Sequence, residues 1–172
     1  MVITKLLLCL LMATLSLVAP VNSTTPRRAM IINSNSTIAQ FLNTHNAVRA
    51  KHNVPPLQWS TKLANYAKWY ANQRRGDCAL VHSDSDLGEN IFWGQGNRWK
   101  PSDAVAAWAA QEAYYDYKNN KCMPNKECLH YTQVVWRSTR DVGCAKIKCR
   151  SGDTYVVCEY YPHGNVIGER PY

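Results

Sequence analysis

The sequence of residues 142–161, VGCAKIKCRSGDTYVVCEYY, contains two β-type runs separated by a short polar turn. The turn is formed by Ser151, Gly152 and Asp153, residue types that are common where two strands connect. We therefore predict a pair of strands over residues 142–149 and 154–161. They lie late in the chain, after segments whose patterns indicate helices.

Three helices are predicted upstream of these strands. The first starts at residues 36–37, because apolar residues recur at helical spacing from there to a Pro-Pro break. The second helix follows Ser60. The third begins at Pro101, with Ser102 as its cap, and continues into a tyrosine-rich stretch.

The remaining segments are less regular. Residues 78–81 are predicted to form a short strand, and residues 82–96, rich in glycine and aspartate, a loop. Residues 130–136 fit either a helix or a strand. Helices early and strands late, with no internal repeat or interdomain linker, predict an α+β fold in which helices cover a mixed sheet.

The first 23 residues have the layout of a signal peptide. Lys5 is their only charged residue, residues 6–18 form an apolar run too short to span a bilayer, and small residues follow. We predict cleavage after Ser23, with a cut after Ala19 as the alternative. The protein is therefore expected to be secreted, and because the chain carries no extension beyond Tyr172 we expect it in the extracellular apoplast.

Residues 24–35 are predicted to be a flexible arm and residues 36–172 a single domain. Asn35 begins an Asn-Ser-Thr triplet, which is an acceptor for glycosylation in an exported chain. The sequence has 20 lysine and arginine residues against 12 acids, a formal charge of +8, and its basic residues are scattered. We predict a monomer with a solvated basic surface and no nucleic-acid partner.

Seven cysteines occur, and Cys9 lies within the signal peptide. The others are an even number in an oxidising compartment, which indicates three disulfides: Cys78, Cys122, Cys128, Cys144, Cys149 and Cys158. Many pairings are open to six cysteines. Spacing favours Cys149 with Cys158 across the turn, and Cys122 with Cys128 around a local loop. Cys78 and Cys144 would then form the long-range bridge.

Several strings resemble the signatures of one family. Residues 130–136 (HYTQVVW) and 155–165 (YVVCEYYPHGN) resemble the two motifs of the CAP superfamily of cysteine-rich secretory proteins, antigen 5 and pathogenesis-related 1 proteins. Residues 76–83 (GDCALVHS), 88–90 (GEN) and 168–172 (GERPY) look like the plant pathogenesis-related 1 group. The resemblance implies a three-layer α-β-α sandwich with a central, mostly antiparallel sheet, and the same three disulfides that spacing favours.

The resemblance also implies a central cleft lined by two histidines and two acids. The matching positions here are His82, Glu89 and His130, a reasonable set of ligands for Zn²⁺ with an open position for water. The fourth position, three residues after Trp108, is Gln111 instead of glutamate. Because a neutral amide is a weak ligand, we predict that no cofactor is required and that zinc binds weakly. The alternative is that His82 and Glu89 only bond each other and the backbone to fix a loop.

The first function implied by the resemblance is sterol binding. Members of the group bind sterols through an aromatic-rich loop and harm oomycetes, which depend on sterols. We therefore expect an antimicrobial defence protein, directed at oomycetes or fungi, whose partners are sterols or microbial membrane lipids. The loop candidates are Trp108, Tyr114, Tyr115 and Tyr117. The alternative is that these aromatic side chains pack in the core.

The second implied function is that of a precursor. In the plant group an eleven-residue tail can be released as a defence peptide, and the matching tail here is residues 162–172, cut by a processing protease between Tyr161 and Pro162. The junction has Glu159 where asparagine is usual. The alternative is an ordered tail that covers the sheet.

A metal-dependent hydrolase is disfavoured. Nucleophilic catalysis needs a serine or cysteine held beside a base, and all six cysteines of the mature chain are assigned to disulfides. Ser83 adjoins His82, which places the two side chains on different sides of an extended chain. No catalytic residue is predicted.

Overall fold

Helix α1 (Thr37–Lys51) opens the part of the chain that the structure, a computed structural model, describes: residues 36–172. The Ser36 hydroxyl caps this helix by accepting a hydrogen bond from the Ala39 amide at 3.1 Å. The predicted signal peptide, the arm and Asn35 lie outside the described residues.

Three further helices follow. Helix α2 (Thr61–Gln73) follows Ser60 as predicted, and the Ser60 hydroxyl caps it by accepting the Leu63 amide. Helix α3 (Pro101–Ala110) is capped differently, because Asp103, and not Ser102, accepts the Lys100 amide at 2.7 Å. Helix α3 gives way at Gln111–Tyr114 to a 3-10 turn. Helix α4 (Leu129–Val134) settles the ambiguous segment as helical.

The central sheet has four strands in the order β1-β5-β6-β2: β1 (Gln58–Trp59), β5 (Asp141–Lys148), β6 (Thr154–Tyr161) and β2 (Gly88–Gly94). Only β1 and β5 are parallel; the other two pairings are antiparallel. The predicted strands β5 and β6 are confirmed within one residue. A separate two-stranded ribbon joins β3 (Tyr115–Asp116) to β4 (Lys121–Cys122).

Two predictions for residues 78–96 are wrong. Residues 78–81 are not a strand, and β2 lies inside the segment predicted as a loop. Two glycines of that segment, Gly88 and Gly94, lie in β2 and permit close packing. A Cβ on Gly88 would lie 2.2 Å from the Gln133 side chain, and one on Gly94 would lie 2.4 Å from the Trp99 ring. Glycine in a strand permits such close approach.

The sheet separates two layers of helices. Helix α2 packs on one face against alternate residues of β6, including Tyr155 and Val157. Helices α1, α3 and α4 cover the other face, against Val156, Cys158 and Tyr160. Strand β6 is therefore buried on both faces, as expected for a central strand with helices on either side. Among the described residues, no helix combines the length and apolarity that crossing a membrane requires.

The disulfides correct two of the three predicted pairings. Cys122–Cys128 is confirmed, but the other bridges are Cys78–Cys149 and Cys144–Cys158, not Cys78–Cys144 and Cys149–Cys158. The reason is strand register: the turn is tight, so Cys149 lies beside it and bonds Asp153, while Cys158 lies directly opposite Cys144. Their Cα atoms are 4.1 Å apart. Cys149 is then free to bridge to the segment after α2.

Candidate functional site

His82 and Glu89 form the first hydrogen-bonded pair of the candidate cleft. Glu89 lies near the start of β2, and its Oε1 is 2.6 Å from His82 Nδ1 and accepts the Ser83 amide at 3.0 Å. This bond raises the pKa of His82. Burial alone would raise the pKa of Glu89, but the bonds from His82 and Ser83 outweigh it and hold that pKa below its usual value. The pair ties the loop of residues 83–88 to the sheet.

His130 and Gln111 form the second pair. His130 lies in the first turn of α4, and its Nδ1 lies 2.9 Å from Gln111 Nε2 and 3.2 Å from Gln111 Oε1. Gln111 Oε1 also accepts the His130 backbone amide at 3.2 Å. Burial, assisted by the charge of His82, lowers the pKa of His130. Each histidine of the predicted triad is thus held by its own partner.

Glu159 belongs beside the candidate site, although the sequence marks it only as a departure in the tail junction. It is fully buried and lies opposite Glu89, which pairs with it across β2 and β6. Among residues 36–172, no hydrogen-bond donor of another residue contacts either Glu159 oxygen or Glu89 Oε2. Burial first, and then the negative charge of Glu89, raise the pKa of Glu159 to about 9. Glu159 is therefore protonated at neutral pH and can donate to Glu89. A glutamate at an interior position of a predicted strand was the available signal.

The side chains of the candidate site do not form a ligand set for a resident zinc ion. Within residues 36–172, no three side chains of histidine, cysteine, aspartate or glutamate are grouped so that they could hold a metal. Gln111 acts as the partner of His130 and not as a fourth ligand. Zinc sites usually have at least three protein ligands, and a carboxylate bonded to a ligating histidine strengthens it, which a neutral amide does not do.

We expect Gln111→Glu to raise zinc affinity by roughly 10- to 100-fold, the usual effect of a partner bonded to a ligating histidine. A carboxylate at position 111 would accept a hydrogen bond from His130 Nδ1–H and make Nε2 a stronger zinc ligand. Isothermal calorimetry with Zn²⁺ measures the difference, and Glu112→Gln, one residue along the chain, is the matched control. Equal affinities of Gln111→Glu and the parent chain would contradict the expectation.

The aromatic candidates are divided by the structure between core and surface. The prediction that Trp108 belongs to the ligand-binding loop is wrong. Its side chain is buried in the core and donates its indole N–H to the Ile91 carbonyl at 3.2 Å, so it is not available to a ligand. Tyr115 is half-buried against Tyr131. Tyr114 and Tyr117 are 38% and 48% exposed. We call residues 114–122 the aromatic loop.

The tail, residues 162–172, lies against the aromatic loop and α4. Between the tail and the loop is a cavity of about 270 Å³, lined on one side by Tyr115 and Cys122 and on the other by Val166 and Pro171. Asn120 Nδ2 donates across to the Glu169 carbonyl at 2.9 Å. Loop and tail therefore form the walls of one cavity.

The peptide-release junction stands at the end of a central strand. The Tyr161 side chain is 52% exposed, but its carbonyl accepts the Arg140 amide at 3.0 Å. Glu159 and Tyr160, which precede it, are fully buried. A protease can therefore reach Tyr161 itself but not the side chains immediately before it while β6 is in place.

Arg49 of α1 organises the segment that joins α4 to β5. Its buried guanidinium donates to the carbonyls of four residues at 2.7 to 3.0 Å, namely Pro55, Val134, Trp136 and Thr139. Burial lowers the pKa of Arg49 to about 10, so it stays charged at neutral pH. The same segment carries Thr139, whose hydroxyl donates to the Pro162 carbonyl at 2.9 Å. Arg49 thus supports both α4 and the start of the tail.

Comparison with known proteins identifies this arrangement. Residues 42–160 match the profile of the cysteine-rich secretory protein family, CAP. "Pathogenesis-related protein PR-1" of Medicago truncatula is 52% identical over 134 residues, 77% of this chain and 78% of that protein. "Pathogenesis-related protein 1" of Arabidopsis thaliana is 46% identical over 132 residues, 77% of this chain and 80% of that protein.

Solved structures agree with this match. Schistosoma mansoni venom allergen-like protein 4 has a TM-score of 0.60 at 27% identity, over 77% of this chain and 90% of that one. NaASP2, solved with Zn²⁺, has a TM-score of 0.63 at 25% identity, over 77% of this chain and 83% of that one. The chain therefore belongs to the CAP family.

The curated relatives narrow this class. They are pathogenesis-related 1 proteins, and this chain is a plant defence protein of that type. None of the relatives named above carries the name of an enzyme. The three disulfides and these relatives are consistent with a secreted protein.

Proposed function

We propose that the protein acts in the apoplast as an antimicrobial sterol-binding protein and that the aromatic loop makes the first contact with the sterol. The observation that carries the proposal is the exposure of Tyr114 and Tyr117 on the aromatic loop, whose Tyr115 lines the loop–tail cavity. Tyrosine suits such a place because its ring is apolar and its hydroxyl tolerates water. Lys126 lies over the Tyr114 ring, 5.1 Å from its centre, and adds a cation at the edge of this surface. Anionic lipid head groups would favour that charge.

We expect Tyr114→Ala to reduce sterol binding by roughly threefold to tenfold, since burying an aromatic side chain is worth about 1 kcal/mol or more. Pelleting with sterol-containing vesicles measures the loss, and sterol-free vesicles separate sterol from general lipid binding. Tyr117→Ala should reduce binding too, although Tyr117 also contacts the tail. Trp69→Ala, an exposed aromatic on α2, is the matched control. Unchanged binding by Tyr114→Ala would count against the loop as the site.

We propose that the protein acts by binding and not by turnover. Among the described residues, His82 and His130 bond Glu89 and Gln111, and neither ring contacts the hydroxyl or thiol of a nucleophile through a hydrogen bond. Ser83 uses its backbone amide on Glu89, while its hydroxyl faces Ser85 at 3.2 Å. A hydrolytic role would need one of these hydroxyls beside a base.

A second candidate function is that of a precursor of the peptide of residues 162–172. The observation that favours it is the exposed Tyr161 side chain immediately before Pro162. Burial of Glu159 means that its carboxyl group is hidden from a protease acting on the folded chain. Mass spectrometry of extracellular fluid tests this function, and a tail found only as part of the intact chain would contradict it.

A further inference from the structure

Tyr172 is held in a socket built from three elements of the domain. Its ring stacks on His52 at 4.5 Å between centres and on Tyr117 at 5.2 Å, with interplanar angles of 27° and 20°. Its hydroxyl is 2.8 Å from the Tyr131 hydroxyl, which in turn is 3.1 Å from His52 Nε2. The Tyr117 hydroxyl donates to a main-chain oxygen of Tyr172 at 3.1 Å. The socket thus contacts the ring, the hydroxyl and the main chain of one tyrosine.

Arg170 fastens the tail to the aromatic loop. Its guanidinium lies over the Tyr117 ring, 5.2 Å from the centre, and donates to the carbonyls of Tyr117 and Lys118, the latter at 3.1 Å. A planar guanidinium can make the stacking contact and the two hydrogen bonds together. Pro171 is buried between these anchors, and its carbonyl accepts the Arg137 amide at 2.7 Å.

The start of the tail has its own contacts with α4. The Gly164 amide donates to Gln133 Oε1 at 2.9 Å, and a Cβ at this glycine would lie 2.7 Å from the Trp136 ring. Asn165 accepts the Thr132 hydroxyl at 2.6 Å and donates to the Leu129 carbonyl at 3.0 Å. In contrast, Ile167 in the middle of the tail is fully exposed. The tail is therefore anchored at both ends, with its middle free.

We infer that the aromatic loop, α4 and His52 form a binding site for the tail as a peptide, so that a chain cut between Tyr161 and Pro162 retains the peptide without a covalent link. The inference rests on the second proposed function, which supplies the cut. Cutting removes one peptide bond and leaves the contacts of Gly164, Asn165, Arg170 and Tyr172 in place. The cut and the release of the peptide are then separate events, and dissociation sets the rate of release.

The test uses the full chain with a flexible linker, carrying the site of a sequence-specific protease, inserted between Tyr161 and Pro162. After cutting, size-exclusion chromatography in native buffer is followed by mass spectrometry of the folded fraction. We expect the peptide to travel with the core in native buffer and to separate in guanidinium. Peptide eluting apart from a folded core, or a core that unfolds when cut, would overturn the inference.

Two substitutions identify the contacts that retain the peptide. Arg170→Ala and Tyr172→Ala should each speed dissociation from the cut chain by about tenfold, the loss of a stacked contact with its hydrogen bonds. Ile167→Ala, which removes a fully exposed side chain, should leave the rate unchanged. Equal rates for all three would overturn the proposed site.

Hydrogen exchange of the chain without the inserted linker controls for any effect of the linker on docking of the tail. Because the Arg137 amide donates to the Pro171 carbonyl, its hydrogen exchange reports on docking of the tail. Tyr172→Ala should raise that exchange rate and Ile167→Ala should not; equal rates would contradict the socket. Since an added protease makes the cut, failure of a plant protease at the natural junction bears only on the second proposed function.

Discussion

Arg49→Leu is expected to lower the free energy of unfolding by at least about 4 kcal/mol, the largest effect of any substitution proposed here. The four carbonyls that accept from the buried Arg49 guanidinium would each lose a charged donor, and leucine cannot replace it. An unsatisfied buried carbonyl costs about 1–3 kcal/mol. Chemical denaturation followed by circular dichroism measures the change.

The control for Arg49→Leu lies on the same helix. Lys51→Leu removes a positive charge from an exposed position two residues further on and should change stability by less than about 0.5 kcal/mol. If Arg49→Leu proved as stable as Lys51→Leu, the buried guanidinium would not hold the segment of residues 134–139. Partial unfolding should appear first in that segment and in the tail, because Thr139 bonds Pro162.

Glu159→Gln is expected to stabilise the protein at alkaline pH and to leave it unchanged near pH 4. The pKa of Glu159 is raised to about 9 in the fold, from 4.5, chiefly by burial. Its contribution to stability is therefore complete below pH 4.5 and is lost as the pH rises toward 9. Each unit of difference is worth about 1.4 kcal/mol, so the advantage of the variant should grow steadily above pH 4.5 and reach several kcal/mol at pH 8. Glutamine can still donate to Glu89.

Thermal unfolding across pH 4–9 checks this expectation. The same substitution at Glu169, whose residue is exposed, should leave the pH profile of the parent chain intact. If the melting temperatures of Glu159→Gln and the parent chain changed with pH in parallel, Glu159 would ionise as easily in the folded chain as in the unfolded chain. The bond between Glu89 and His82 changes stability with pH in the same direction. It raises the pKa of His82, and a raised histidine pKa contributes stability that is lost as the pH rises.

The position of Glu159 changes the significance of the tail junction. From the sequence, a glutamate in place of asparagine suggests that a processing protease would meet an unfavourable charge. In the structure that carboxyl group is buried opposite Glu89, and burial raises its pKa to about 9. Its physical effect is therefore on the stability of β6, from which the tail departs, and thus on how readily the junction opens.

The fold class, three of the helices and the two long strands of the sheet can be predicted from the amino-acid sequence. Helical spacing from Ser36 or Thr37 and after Ser60 predicts α1 and α2, and the β-type runs on either side of the Ser151 turn predict β5 and β6. Local signals suffice there because caps and turns are satisfied by residues close in sequence. The sequence motifs also predict the family, because a motif is recognised from the order of its residues and needs no knowledge of packing.

Features that depend on strand register and on contacts between distant segments could not be predicted from the sequence, because they require the folded chain. The disulfide partner of Cys158 is set by which residue of β5 stands opposite it, and Glu89 meets Glu159 for the same reason. The glycines of β2 are legible as packing residues only once Gln133 and Trp99 lie against them. Likewise, Trp108 and Tyr117 are both aromatic in sequence, but only burial separates a core side chain from a surface one.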